Sequence, residues 1–387
     1  MEERHSMEEV HSMEERQSKI IVAGHVCLDI TPVFSGQEGN SLGEIFSPGK
    51  LLQMKQAEVH TGGCVANTGL AMKLLGADVS LMGKVGADEF GSIIKRIFSE
   101  HHAGQGLIAV SEESTSYSVI LAPPGIDRIF LHNPGANDTF CADDIPDKSL
   151  EGCALFHFGY PTLMRRMYEE EGKELLRIFR KAKDAGAATS LDFAMVNEDT
   201  DAGRACWEKI LEKVLPSVDF FVPSVEELCF MLDKERFVQW QQRACGRDIT
   251  EILDAGRDVR PLADRCMELG AKVLLIKCGS TGMYYRTACR ETLLAISDRI
   301  KLQVEEWENQ EGFEKSYRPD RVLSGSGAGD TSIAAFLVSM LNGRSLQQAV
   351  RLAAAAGASC VASYDALSGL RSLDELEARI EAGWEKV

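Results

Sequence analysis

The chain has 387 residues, of which 44% are apolar, enough for one large α/β unit or about two to three average domains. Its formal net charge of -17 argues against nucleic acid or an anionic membrane as a partner, since both need a basic face. The 11 cysteines never fall as Cys-x-x-Cys, and no apolar run reaches about 18 residues. That pattern argues against a zinc site, a disulfide framework and a membrane span, and it favours a reducing cytoplasm.

Residues 1–18 repeat one six-residue theme (MEERHS, MEEVHS, MEERQS), too charged to bury a core, so a disordered or loosely helical tail is expected. The apolar run 19–25 suits a buried strand. A helix over 66–75, a strand over 79–84 and an amphipathic helix over 88–102 follow. The alternation continues through strand 154–159, helix 164–185, strand 189–193, helix 203–214, strand 219–223 and helix 225–232. Helix 261–269, strand 272–279 and helices over 329–342, 345–362 and 373–384 complete it. Such alternation implies a mostly parallel sheet with helices on both faces. Two stretches, about 31–60 and 113–137, break the rhythm with strand-like segments (SYSVILAP, RIFLH) and no helix between them. Residues 233–260 read as extra helices, and 290–320 as a surface excursion.

One segment carries most of the chemistry. Ser324-Gly325-Ser326-Gly327-Ala328-Gly329-Asp330-Thr331 enters the apolar helix-like run SIAAFLVSMLNG. With so little side chain in the way, successive backbone N–H groups can converge on an anion. The helix adds four unpaired N–H groups and roughly +0.5 of partial charge. Asp330 in that corner is either a dipole-favoured helix-start residue or, beside a phosphate, a base for an attacking hydroxyl. No P-loop, dinucleotide fingerprint or hydrolase elbow is present. His25, His60, His132 and His157 read as packed or hydrogen-bonded residues.

Upstream, Thr61-Gly62-Gly63-Cys64-Val65-Ala66-Asn67 runs into the helix-like TGLAMKLLG. Together with SGSGAGD it resembles the two signature regions of the ribokinase-like (PfkB) carbohydrate kinase family. VAGHVCLDI (22–30), FLHNPGAND (130–138), VPSVEEL (222–228) and IKCGSTG (276–282) are similar to further family segments, in the family's order, so the resemblance spans roughly 19 to 385.

The resemblance implies one ribokinase-like α/β domain over 19–387, with the excursions 31–60 and 113–137 forming a small β-sheet lid. It implies phosphorylation of a hydroxyl on a sugar or sugar-like molecule, with ATP as co-substrate and Mg²⁺ required. Asp330 would be the base, and the N–H groups of Gly327, Ala328 and Gly329 the anion hole. Asp29, Gly62, Gly63, Asn67, Asn133 and Asn137 would bind substrate; Ser224, Gly279, Gly282 and Ser326 the nucleotide. Glu227 would organise Mg²⁺ through water. Residues 353–356, all alanine, resemble the helix bordering adenine, or equally a close helix contact. A homodimer through the lid is also implied.

Two positions depart from the family pattern. Ser224 stands where Asn is usual, and Ser324 where many members carry Asp, which argues against K⁺ activation. Alternatives are a nucleoside kinase of the same family and a non-catalytic sugar sensor. A sugar phosphate as substrate would need a cationic clamp, for which Arg128, Arg165 and Arg166 are available.

Overall fold

In the first strand, Lys19–Gly24, Ile20 and Val22 pack into one apolar cluster while Ile21 and Ala23 pack into a second. Val273–Cys278 repeats this: Val273 and Leu275 face the first cluster, Leu274 and Ile276 the other. Side chains alternate across a strand, so a sheet buried on both sides needs apolar residues at every position. The computed structural model describes residues 19–35, 42–123 and 129–387; the repetitive tail expected over 1–18 lies outside them, as does Arg128.

Nine strands form the large sheet. Their order is Glu311–Lys315, Gly282–Thr287, Val273–Cys278, Phe220–Phe221, Ala188–Asp192, Cys153–Gly159, Lys19–Gly24, Val79–Gly86 and Gly106–Val110. The first two run antiparallel to their neighbours and the rest are parallel. Helices Cys64–Leu74, Ala328–Leu341 and Leu346–Cys360 cover one face. Lys173–Asp184, Trp207–Val214 and Val225–Leu232 cover the other.

Four more strands, ordered Glu58–Gly62, Cys27–Thr31, Tyr117–Leu121 and Ile129–Asn133, form a smaller sheet. Its outer pairs are antiparallel and its central pair parallel. His25 and Val26 alone separate it from the first strand of the large sheet.

Three expectations need correction. The helix expected over 164–185 is broken, because Glu170 and Glu171 adopt left-handed backbone (φ 49 and 52) ahead of Gly172 (φ 76). The acidic run Glu169–Glu171 thus separates the short helix Arg165–Tyr168 from the helix Lys173–Asp184. The helix expected over 203–214 is likewise split, into Asp201–Arg204 and Trp207–Val214. The excursion 290–320 is not confined to the surface: Trp307 is fully buried and Glu311–Lys315 supplies the edge strand. Residues 233–260 do contain the expected extra helix, Lys234–Ala244.

The turn Gly135–Thr139 is tied to the junction between the sheets by Asn137, which is fully buried. Its Oδ1 accepts the Val26 N–H at 3.2 Å, and its Nδ2 donates to the carbonyls of Val26 (2.9 Å) and Pro134 (3.1 Å). Asn137→Ala leaves two buried main-chain groups unpaired and should cost about 1–3 kcal/mol. Urea unfolding measures it; a loss below about 0.5 kcal/mol, the scale of an ordinary surface change, would show that the clamp does not hold the turn.

Candidate active site

The C-terminal ends of the parallel strands converge on one corner, the edge where open α/β sheets bind ligands. His25 follows the first strand, Tyr160 follows Cys153–Gly159, and Asp192 ends Ala188–Asp192. Ser224 bridges to Lys277 near the end of Val273–Cys278.

Above them starts the helix Ala328–Leu341. Gly327 precedes it in left-handed backbone (φ 76), and a Cβ there would lie 2.1 Å from that of Ala366, so no other residue fits. No side chain caps this helix; the Ala328 N–H makes a long bond to the Gly325 carbonyl (3.4 Å), and the start of the helix lies at the corner with Asp330 in its first turn. Asp330 is 4% exposed and collects three donors. Thr68 Oγ1 lies at 2.9 Å, Asn67 Nδ2 at 3.2 Å, and the Tyr160 hydroxyl at 2.8 Å from both carboxylate oxygens.

Beneath the glycine turn lies Lys277, whose Cδ is 3.3 Å from where a Cβ on Gly329 would sit. Its ammonium is 2.6 Å from Asp192 Oδ1. Burial pushes the carboxyls of Asp192, Glu227 and Asp330 up, and the Lys277 charge pulls each back toward its ionised form. Burial alone would lower Lys277, but Asp192 and Glu227 hold it raised. Glu227 and Ser224 close a capping box at the start of Val225–Leu232: the Glu227 N–H donates to Ser224 Oγ (3.2 Å), and the Ser224 N–H to Glu227 Oε2 (2.7 Å). Ser224 thus has a local role that needs no nucleotide.

On the other side of Asn67 opens a cavity of about 610 Å³ lined by Asp29, His60, Asn67, Ser324 and Ser326 among others. Gly62 and Gly63 make room for protein side chains: a Cβ on Gly62 would fall 2.1 Å from Asp29 Oδ2, and one on Gly63 (φ 84) 2.5 Å from His25 Nδ1. Gly279 and Gly282 are likewise hemmed in by the chain itself, at the Thr250 side chain and the Glu314 carbonyl. Asn133 donates to Ser114 Oγ at 3.3 Å, and Asn137 is committed to main chain. Arg165 faces Asp138 and Glu169, away from the cavity lining. The alanines of 353–356 are buried in the core they share with Ala328–Leu341, so their small size serves helix packing.

The corner therefore gathers Asp330, Asn67, Gly327, Glu227 and Ser224, together with four residues that sequence reasoning passed over: Lys277, Asp192, Tyr160 and Thr68. A signal existed for two of them. Lys277 is the one charge in the buried strand VLLIKC, and Asp192 ends a strand as Asp29 nearly does. Tyr160 gave none, since its left-handed backbone (φ 63) has no mark in its residue type.

Lys277→Met should strand Asp192, buried to 1% exposure, and cost about 3–5 kcal/mol, as breaking a buried ion pair from one side does. Adding Asp192→Asn removes the stranded charge and should recover much of the loss. Unfolding midpoints of both single variants and the double variant measure this, and simple additivity would show that the pair is not coupled.

Residues 18–372 match the model of the pfkB family carbohydrate kinases. An uncharacterized sugar kinase of Archaeoglobus fulgidus is 24% identical over 307 residues, 79% of this chain and 100% of the relative. Among solved structures, Arabidopsis thaliana ribokinase complexed with ribose and ATP superimposes with a TM-score of 0.67 at 19% identity, covering 94% of this chain and 98% of that one. Xylella fastidiosa fructokinase with bound ATP gives 0.68 at 18%, covering 94% and 98%. These two likenesses establish a ribokinase-like fold, and the match along nearly the whole sequence establishes the family: the chain belongs to the pfkB carbohydrate kinases.

Proposed function

We propose that this kinase transfers the γ-phosphoryl group of ATP to a hydroxyl of a neutral sugar-like molecule, with Asp330 as general base. The carrying observation is a buried carboxylate, fixed by three side chains, inside the uncapped N-terminus of a helix. A carboxylate offers about four acceptor sites, and Thr68, Asn67 and the shared Tyr160 bond fill them. A substrate hydroxyl gains a site when the Tyr160 bond contracts onto one oxygen. The proton then passes to Asp330 as the new O–P bond forms and the bond to ADP breaks. The N–H groups of Gly327, Ala328 and Gly329 hold charge on the transferred group.

Three buried carboxyls face one ammonium here, a surplus that suits a divalent cation arriving with the nucleotide. Among the described residues no group of three or more His, Cys, Asp or Glu could hold a metal. Mg²⁺ would therefore rest mainly on phosphate oxygens and water, with Glu227 reaching it through water. Neutral substrates are favoured because Asp29, Glu58 and Asp365 line the cavity, and among the described residues no Lys or Arg does. On the opposite face of the small sheet Val59 (42%) and Leu131 (53%) are exposed, and the proposed homodimer would cover them.

Asp330→Asn should lower kcat by roughly 10² to 10⁴ and leave ATP affinity little changed, the scale of losing a general base. Coupled ADP release across neutral sugars, sugar phosphates and nucleosides tests this, and near-normal turnover would reduce Asp330 to a helix-start residue. Tyr160→Phe gives a second readout. Burial already holds Asp330 above the usual carboxylate range, and the Tyr160 bond favours its ionised form. Removing that bond should move the acid limb of kcat/KM to still higher pH; a limb that stays put or falls would sever Tyr160 from the base.

A further inference from the structure

The register of the small sheet places His60, Asp29, Ser118 and His132 abreast on four neighbouring strands, all on one face. His132 Nδ1 lies 3.0 Å from Ser118 Oγ. On its other side Ser118 stands opposite Asp29 in register, where its hydroxyl favours the charged carboxylate. A carboxylate only accepts, so Ser118 gives its proton to Asp29 and accepts one from His132. The proton of His132 then resides on Nδ1, and Nε2 is left as a bare acceptor.

Next to it stands His25. Its ring centroid is 5.2 Å from that of His132 and 6.1 Å from that of Tyr160, whose hydroxyl grips Asp330. His25 is 1% exposed, yet neither ring nitrogen has a hydrogen-bond partner among the described residues. Buried polar groups are nearly always paired, so a wholly unpaired imidazole, next to a ring that shares a sheet face with the cavity-lining Asp29 and His60, points to a partner from outside the protein. Burial depresses the pKa of His25, which keeps that ring neutral.

Resting on the kinase reading above, we infer that His25 and His132 are specificity-determining residues that bind one hydroxyl of the acceptor, separate from the hydroxyl activated by Asp330. The group they select both donates, to His132 Nε2, and accepts, from the N–H of His25. A hydroxyl does both. A methyl ether can only accept, a deoxy carbon does neither, and a carboxylate or phosphate brings no donor when ionised and no cation to meet it. The acceptor is thus a polyol with a free hydroxyl at this point.

The test combines kinetics with spectra. The wild type is assayed with D-ribose, D-fructose and the other neutral sugars of the panel, then with the monodeoxy and O-methyl analogues of the sugar it uses best. His132→Phe, on an exposed strand position, should raise the sugar KM about 3- to 10-fold, as loss of one neutral hydrogen bond does, and leave the KM for ATP within about twofold. It should also erase the penalty on one deoxy analogue, and His132→Gln, whose amide oxygen accepts, should restore part of it. Nitrogen-15 spectra of the imidazoles should show His132 protonated at Nδ1 in the free protein, with Nε2 moving when sugar is added. An Nε2-protonated His132, or an unchanged sugar KM in His132→Phe with turnover intact, overturns the inference and leaves the kinase reading standing. A wild type that phosphorylates nothing in the panel sinks the kinase reading itself, and imidazole signals unmoved by D-ribose or D-fructose would then sink the inference with it.

Discussion

The ammonium of Lys277 is the interaction on which this corner of the molecule depends. Asp192, Glu227 and Asp330 come from a strand end and two helix starts far apart in sequence, and burial works against the charge on each. Without a shared cation, three buried carboxyls could not stay ionised together. Lys277 occupies the end of a strand whose other residues are apolar on both faces, so its backbone is fixed by packing and its charge is delivered to one point. Its stem also lies under Gly329, which ties the anion-binding turn to the same residue. The carboxyl cluster and the glycine turn therefore meet at one side chain.

The substrate side is set by a different constraint, the narrow junction between the two sheets. The first strand enters the small sheet after His25 and Val26, and Asn137 clamps the main chain of Val26. Gly62 and Gly63 supply the space that the side chains of Asp29 and His25 fill. Asp29 and His25 are thereby held in register with the large sheet, which carries Lys277 and packs against the helix of Asp330. Two residues of main chain connect the two sheets directly.

Much of this was legible in the sequence, and the reasons for the rest are physical. The strand–helix alternation is written in local apolar pattern, so the parallel sheet could be read directly. The break at Glu170 and Glu171 could not, because charged residues in left-handed backbone look the same in sequence as charged residues on a helix. Lys277 lay inside a segment noticed for its glycines, but the partner that gives it meaning, Asp192, is 85 positions away. Asn137 stands among the substrate-binding residues that the resemblance implies, but it is bonded to the backbone of Val26, and no local pattern reveals a contact across 111 positions. Glycines mislead in a related way: Gly62 marks a close approach, yet what approaches is Asp29.

A chain of net charge -17 that binds a polyanion needs its positive potential to be local, and the site provides it. Beyond roughly 8 Å the acidic surface is screened by salt, while contacts at the site are not. On the nucleotide side stand an uncapped helix N-terminus and Lys277, both suited to phosphate. On the acceptor side stand Asp29, Glu58 and Asp365, which repel it. Asp330 lies at the border, bonded to Asn67, which lines the acid-walled cavity, and carried by the helix that offers the N–H groups. If the acceptor is neutral, as proposed above, the two substrates differ most in charge, and the corner would sort them by it. On that reading an anion in the cavity would meet the carboxylates of Asp29, Glu58 and Asp365, whereas a polyol at the helix start would leave the N–H groups and the ammonium without a counter-charge. On the reading proposed above, this division would decide which molecule presents a hydroxyl to Asp330 and which presents phosphorus.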